Sequence, residues 1–386
     1  MISILEFTSR AKKTQEIMKN EGIDLLLVYG NEAEPQFIRY LCNYWPAFES
    51  AGVLLAQEGE PVLLIGPESL TYASDRSVLP QICRLSSFRE SSNPEYPGHD
   101  LDTFTSVIKE ILDGDKPRRA AIAGFNIITK STYDDFACSL DQFGIIPECC
   151  DDIIMRQRII KSPAEIDCMR EAGRITREAF AYVISKIKPG MTESQVRGLA
   201  NEKLFELGGE SESYPIWVLA GKGGNQAISR ARNKVIGENE LVHIQIGARY
   251  EGYASTIGRP VIIGKPEQWM LNAISAGYEG YKAIYAQLYA GNNAGNVAKA
   301  FYDTMTQNGY ADWLLYGPCH GTGLMEGEPP WIESNSNYIM KENQTYCICL
   351  FMGNKEGFGF RLEDQIRVGN DGPENLTNFR KDIIII

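Results

Sequence analysis

The sequence predicts an α/β domain followed by a larger α+β domain, on three observations. Over roughly the first 150 residues, apolar strand-like runs alternate with helical ones. From Met155 to Gly209 the chain reads as two helices joined at Lys188-Pro189-Gly190. From Tyr214 onward short strands dominate, interrupted by helical stretches at about 266–290 and 294–308. The expected division is 1–153 and 154–386.

The first residues, MISILEFTSRAKKTQEIMKN, are charged within ten positions and lack the apolar core of a signal peptide. They read as a helix with Lys and Arg on its polar face. IDLLLVYG (23–30) is a buried strand, and 51–66 is two strands joined by an EGEP turn. SLTYASDRS is helical, 101–114 is an amphipathic helix ending in Gly, and 118–126 is a further strand. Ser162-Pro163-Ala164-Glu165 is a helix start: Ser caps, Pro takes the first turn, and Glu stands three after Ser. Thr192 opens the next helix. HIQIGARYEGYASTIGRP (243–260) reads as strand, turn at Gly252, strand. Alternation puts Ile244, Ile246 and Ala248 on one face and His243, Gln245 and Gly247 on the other. Gln245 and Thr256 are expected to face each other across this hairpin.

Composition narrows the class. The 386 residues carry a net charge of −12, with 44% hydrophobic and 23% charged residues. That is an ordinary soluble globular chain, and its sign argues against nucleic acid and anionic membrane surfaces as partners. No apolar run approaches the roughly 20 residues that span a bilayer. The nine cysteines are odd in number, irregularly spaced and without a CxxC pair, which suits a reducing cytoplasm rather than a disulfide framework. There are only three histidines, His99, His243 and His320.

RIIKSPAEIDCMREAGRI, KPGMTE, GARYEGYAS, CHGTGL, EPP and GFRLEDQIRV follow one another in an order and spacing that resembles the creatinase/prolidase/methionine aminopeptidase family. The resemblance covers nearly the whole chain. It implies the pita-bread fold for the second domain, the smaller creatinase/prolidase N-terminal domain before it, and a homodimer. Metallopeptidases of this family hold two divalent metals with two Asp on a hairpin, a His and two Glu. By resemblance those positions are here Gln245, Thr256, His320, Phe351 and Glu363. Only His320 and Glu363 keep the family's residue type, and one His with one carboxylate does not hold two divalent ions. Two further family histidines fall at Arg230 and Gly327. The resemblance therefore implies a site without metal or other cofactor. Creatinase, the family's metal-free member, is matched only in part, because its catalytic His falls at Arg230 and one of its Glu at Gly258.

The catalytic candidates are His320, for proton transfer, and Glu363, to orient or activate water. The bland reading of Glu363 is a salt bridge to Arg361 or Arg230. Arg230 is assigned to clamp a substrate carboxylate, though it also reads as a solvated residue of SRARNK, and a two-residue slip would put Arg232 in its place. Gln245, Thr256, Phe351, Arg361, Glu328 and Trp217 are expected to line the substrate pocket. Tyr44 and Trp45, in the aromatic loop 40–50, are expected to close it, against the alternative that they fill a surface. Cys319, Cys347 and Cys349 read as packing, since adjacent residues point apart and buried thiols are usually inert. The functional expectation is a metal-independent, creatinase-like hydrolase. It would cleave a C–N bond in a small polar nitrogen compound such as a guanidino acid or cyclic amidine. A catalytically inactive binding protein is the alternative, and an Xaa-Pro dipeptidase ranks last.

Overall fold

Residues 1–386 are described by a computed structural model. They form two compact units, Ile2–Arg158 and Ile159–Ile386. The N-terminal unit comprises α1 (Ile4–Glu21), β1 (Leu25–Gly30), α2 (Gln36–Cys42), β2 (Ala51–Ala56), β3 (Val62–Ile65), α3 (Leu70–Arg76), β4 (Ile82–Arg84), α4 (Phe104–Ile111), β5 (Ala120–Ala123), α5 (Lys130–Leu140), β6 (Glu148–Cys149) and α6 (Asp152–Arg158). Its six strands run in the order β4-β3-β2-β1-β5-β6. β1 is antiparallel to β2 and parallel to β5, so the sheet is mixed. β1 and β2 are buried at every position, as near-continuous apolar runs require. α1 starts where the Ser3 side chain accepts the Glu6 amide and ends at Gly22, whose φ of 69° suits glycine. α6 closes this unit, with Gln157 donating to Thr14 Oγ1 at 3.0 Å.

The C-terminal unit comprises α7 (Pro163–Lys186), α8 (Glu193–Glu206), β7 (Ser211–Glu212), β8 (Trp217–Ala220), β9 (Glu240–Ile246), β10 (Ala248–Tyr250), β11 (Tyr253–Ala254), β12 (Ile257–Ile263), α9 (Gln268–Tyr285), α10 (Ala294–Gln307), β13 (Cys319–Gly321), β14 (Glu328–Ile332), β15 (Thr345–Gly353), β16 (Gly359–Val368), β17 (Pro373–Asn375) and β18 (Ile384–Ile385). Both expected caps form: Ser162 with Glu165, and Thr192 with Gln195, make reciprocal capping boxes at α7 and α8. The main sheet runs β14-β13-β15-β16-β12-β9-β8, with β17 on β16 and β18 on β12. Two cores flank it. α7 and α8 pack with Val242, Ile244, Ile246 and Ile257, whereas α9 and α10 pack with Ile348, Leu350, Phe360 and Leu362. The side chains that alternate with these residues are left to build a polar centre.

The hairpin differs from its expected form. Ile257 pairs with Ile246 and Gly258 with Gln245, so Gly258 rather than Thr256 stands opposite Gln245. The tip belongs to a separate small sheet, β11-β10-β7. Gly247 sits at the switch, where an added Cβ would fall 2.1 Å from Ser213 Oγ and 2.3 Å from Ser255 O. The chain can turn there only without a side chain.

Candidate active site

Glu363 is the centre of the buried polar cluster. It lies on β16 with no solvent exposure, because alternation turns Leu362 to the α9/α10 core and Glu363 the other way. Four donors reach its carboxylate. Gln245 Nε2 and Thr256 Oγ1 both bond Oε2, the latter at 2.8 Å. The Cys349 thiol reaches Oε1 at 3.1 Å, and Arg361 Nη1 stands 3.2 Å from the same oxygen. Gln245 and Thr256 are thus joined through Glu363 rather than to each other. Tyr214 bonds Thr256 at 2.7 Å and completes that side. Gly258 makes the approach feasible, because a Cβ there would lie 3.2 Å from Glu363 Cβ and 3.3 Å from Arg361 Cβ.

Arg361 is the buried cation. It donates to Ala227 O and lies 3.4 Å from Gln245 Oε1. Its guanidinium stacks at 4.6 Å from the Trp217 ring, 5.7 Å from Tyr316 and 5.6 Å from Phe351. Trp217 is opposite Gln245 in the sheet and reaches the cluster through this stack.

His320 forms a second group. Its Nδ1–H donates to Gly321 O at 2.9 Å, leaving Nε2 3.7 Å from Glu326 Oε1. Its ligand atoms and those of Glu326 and Cys347 all lie within 4.8 Å of one another. Neighbouring Cys319 turns into the α9/α10 core instead.

The charges here are coupled. Burial pushes the Glu363 carboxyl well above the usual range, Cys349 adds to this, and Arg361 opposes it. Cys349 is drawn well below the usual thiol range by its bond to Cys347, then by Arg361 and His320. The two groups are 3.1 Å apart, so their titrations are linked. Burial opposes a charged His320, but Glu326 and Cys349 outweigh it and carry the ring up to about 10. His243 behaves oppositely: burial, with Arg361 nearby, drives it down to about 3 and keeps it neutral.

Several expected positions fall elsewhere. Arg230 is exposed and outside the buried cluster, so Arg361 is the cation at the site. Arg232, the other reading, is held by Glu193 at 2.8 Å. Phe351 pairs with Arg361, and it is Cys349 that stands opposite Glu363. The position that the resemblance assigns to Phe351 and the residue opposite Glu363 differ by two along one strand face, a difference that alternation alone does not detect. Glu328 is tied to Lys161 at 2.9 Å in a buried ion pair, an anchor rather than a free pocket carboxylate. Within the N-terminal unit, where the aromatic loop was expected, Tyr44 packs on Tyr72 and Trp45 donates to Glu32 O at 2.8 Å. Sequence reasoning missed Cys349, Cys347, Glu326 and His243. The i, i+2 rule applied to β15 from Cys347 to Phe351 would have put Cys347 and Cys349 on one face.

An α/β unit ahead of a helix-flanked sheet with a buried acid–base cluster defines a hydrolase architecture of the pita-bread class. The chain belongs to metallopeptidase family M24, whose family model matches residues 167–370. The creatinase/prolidase N-terminal domain model matches residues 10–159. An uncharacterized peptidase, YqhT of Bacillus subtilis, is 26% identical over 264 residues, 68% of this chain and 73% of that one. The Xaa-Pro dipeptidase of Pyrococcus furiosus is 25% identical over 234 residues, 61% of this chain and 67% of that one. An X-Pro aminopeptidase structure from Thermotoga maritima superposes with a TM-score of 0.84 at 20% identity, covering 97% and 99% of the two chains, which establishes the fold.

These findings overturn the expected function. The curated relatives carry peptidase names, not the names of enzymes for guanidino acids or cyclic amidines. They favour a peptidase over the creatinase-like reading.

A metallopeptidase family implies bound metal. Two hard divalent ions ask for several anionic oxygens. Around Glu363 the protein offers one carboxylate, a carboxamide, a hydroxyl and a thiol, with a guanidinium already 3.2 Å away. That donor set does not fit a pair of hard ions.

Proposed function

We propose that this chain hydrolyses the amide C–N bond of short peptides of the Xaa-Pro dipeptide class, without a two-ion centre of hard metals. The observation that carries the reading is the buried Glu363–Arg361 cluster in a chain whose family relatives are named peptidases. A buried guanidinium beside a hydrogen-bonded carboxyl is a preorganised polar pair whose cation is fixed before substrate arrives. Arg361 can meet a substrate carboxylate or the oxygen of a reacting amide. Glu363, and His320 Nε2 when it holds no ion, are the groups able to move a proton. The site takes a small-molecule substrate, and we place the chain in the cytoplasm as a homodimer. All nine cysteines are unpaired, which supports the compartment, and no helix is long and apolar enough to cross a membrane. Release of free proline from a panel of Xaa-Pro dipeptides, followed by mass spectrometry, tests the activity. Loss of an acid–base group lowers rates by about 10²–10⁴-fold, so Glu363→Gln should fall at least about 100-fold below the unaltered chain. Turnover no greater than that of Glu363→Gln on every dipeptide would refute the reading.

A further inference from the structure

The cluster of His320, Glu326 and Cys347 lies beside Glu363 but shares only His320 with the five positions that the resemblance assigns to metals. Its three ligand atoms lie within 4.8 Å of one another, on buried β13, the β13–β14 turn and buried β15. Three features mark it as more than a chance meeting of side chains. First, His320 has its Nδ1–H committed to Gly321 O, which points Nε2 toward Glu326 and Cys347, where an ion would displace its proton. A backbone carbonyl holding the far ring nitrogen is how proteins orient a histidine ligand. Second, Glu326 Oε1 is buried without a hydrogen-bond partner, an acceptor removed from water. Third, the 3.7 Å between Nε2 and Oε1 suits two donors that each stand about 2 Å from one ion.

We propose that His320 Nε2, Glu326 and the Cys347 thiolate bind a single thiophilic divalent cation of the Zn²⁺ class. One nitrogen, one carboxylate oxygen and one sulfur form a borderline-soft donor set that suits Zn²⁺ or Co²⁺ and disfavours Mn²⁺ and Mg²⁺. Three protein donors leave a fourth position open. The ion would bind whichever bond the protein cleaves, so this inference does not rest on the peptidase reading.

The test is metal binding itself. The full-length chain is stripped with chelator, dialysed against Zn²⁺, Co²⁺ or Mn²⁺ in turn, and analysed by elemental mass spectrometry and absorption spectroscopy. The expected result is one Zn²⁺ or Co²⁺ per chain, a near-ultraviolet sulfur-to-cobalt charge-transfer band, and no stoichiometric Mn²⁺. Cys347→Ser should abolish the band and weaken Zn²⁺ at least tenfold. Glu326→Gln, which preserves shape, should weaken Zn²⁺ at least tenfold while keeping the sulfur band. Cys138 and Cys149 are exposed and could hold an ion of their own. The double variant Cys138→Ser/Cys149→Ser should therefore leave binding unchanged. Two ions per chain, tight Mn²⁺ binding, no ion at all, or an ion that survives Cys347→Ser with the circular dichroism unaltered would each overturn the proposal.

Discussion

Replacing Arg259 with Met should destabilise the C-terminal unit severely. Arg259 has no solvent exposure and pairs with Asp364, equally buried, at 2.8 Å. The guanidinium also donates to Gly258 O at 2.8 Å, Glu363 O at 2.6 Å and Arg380 O at 3.0 Å. One side chain thus ties β12 to β16 and to the C-terminal tail, and it fixes the backbone of Glu363. Methionine fills much of the same volume but leaves Asp364 with two neutral donors, Tyr281 OH at 2.8 Å and Thr377 Oγ1 at 2.7 Å, and with Lys381 Nζ only at 3.9 Å. Removing one member of a buried pair costs about 3–5 kcal/mol, chiefly by stranding the other charge. For a unit of this size each kcal/mol moves Tm by about 2–4 °C, so the C-terminal transition should fall by about 6–20 °C. Differential scanning calorimetry reads this directly. The double variant Arg259→Met/Asp364→Leu removes both charges and should recover most of the loss. A fall of less than about 3 °C for the single variant, or a double variant worse than the single, would refute the argument that the pair is held by mutual neutralisation.

Gly258→Ala places a Cβ 3.2 Å from Glu363 Cβ and Cγ. The resulting shift of the carboxyl should cost about 10–100-fold in kcat, with circular dichroism unaltered. His243 is held near 3 against an unfolded value of about 6.5, so the unfolded chain binds a proton that the folded one refuses. Stability should fall as pH drops below about 6.5, by up to about 1.4 kcal/mol per pH unit from this residue, until the folded ring titrates. His243→Leu should remove this share, so the urea midpoint at pH 8 should drop relative to that at pH 5 by comparison with the unaltered chain. Ser162→Ala removes the acceptor at 3.2 Å from the Glu165 amide and should cost about 1 kcal/mol in urea unfolding, while Ser162→Asp should be close to neutral.

The local chemistry of the chain is largely legible in its sequence. Helix starts at Ser162 and Thr192 follow from short-range hydrogen bonds that need no distant partner. The faces of β9 and β16 follow from alternation: Ile244 and Leu362 are in cores, Gln245 and Glu363 are not. The family resemblance is likewise carried by residues near one another in sequence, and it placed the fold correctly.

What the sequence could not decide was register, and the site is made of register. Whether Cys349 or Phe351 stands opposite Glu363 is a matter of two residues along one face, with the same alternation either way. Whether Arg230 or Arg361 supplies the buried cation depends on which stretch of chain turns inward; Arg230 is exposed, while Arg361 is stacked among Trp217, Tyr316 and Phe351. Glu326 and Cys347 are 21 positions apart and meet at His320 only because β13 lies between β14 and β15. Residue types and their alternation determined which side chains were available for chemistry. Strand pairing, a long-range outcome of packing two cores against one sheet, decided which of them share a site.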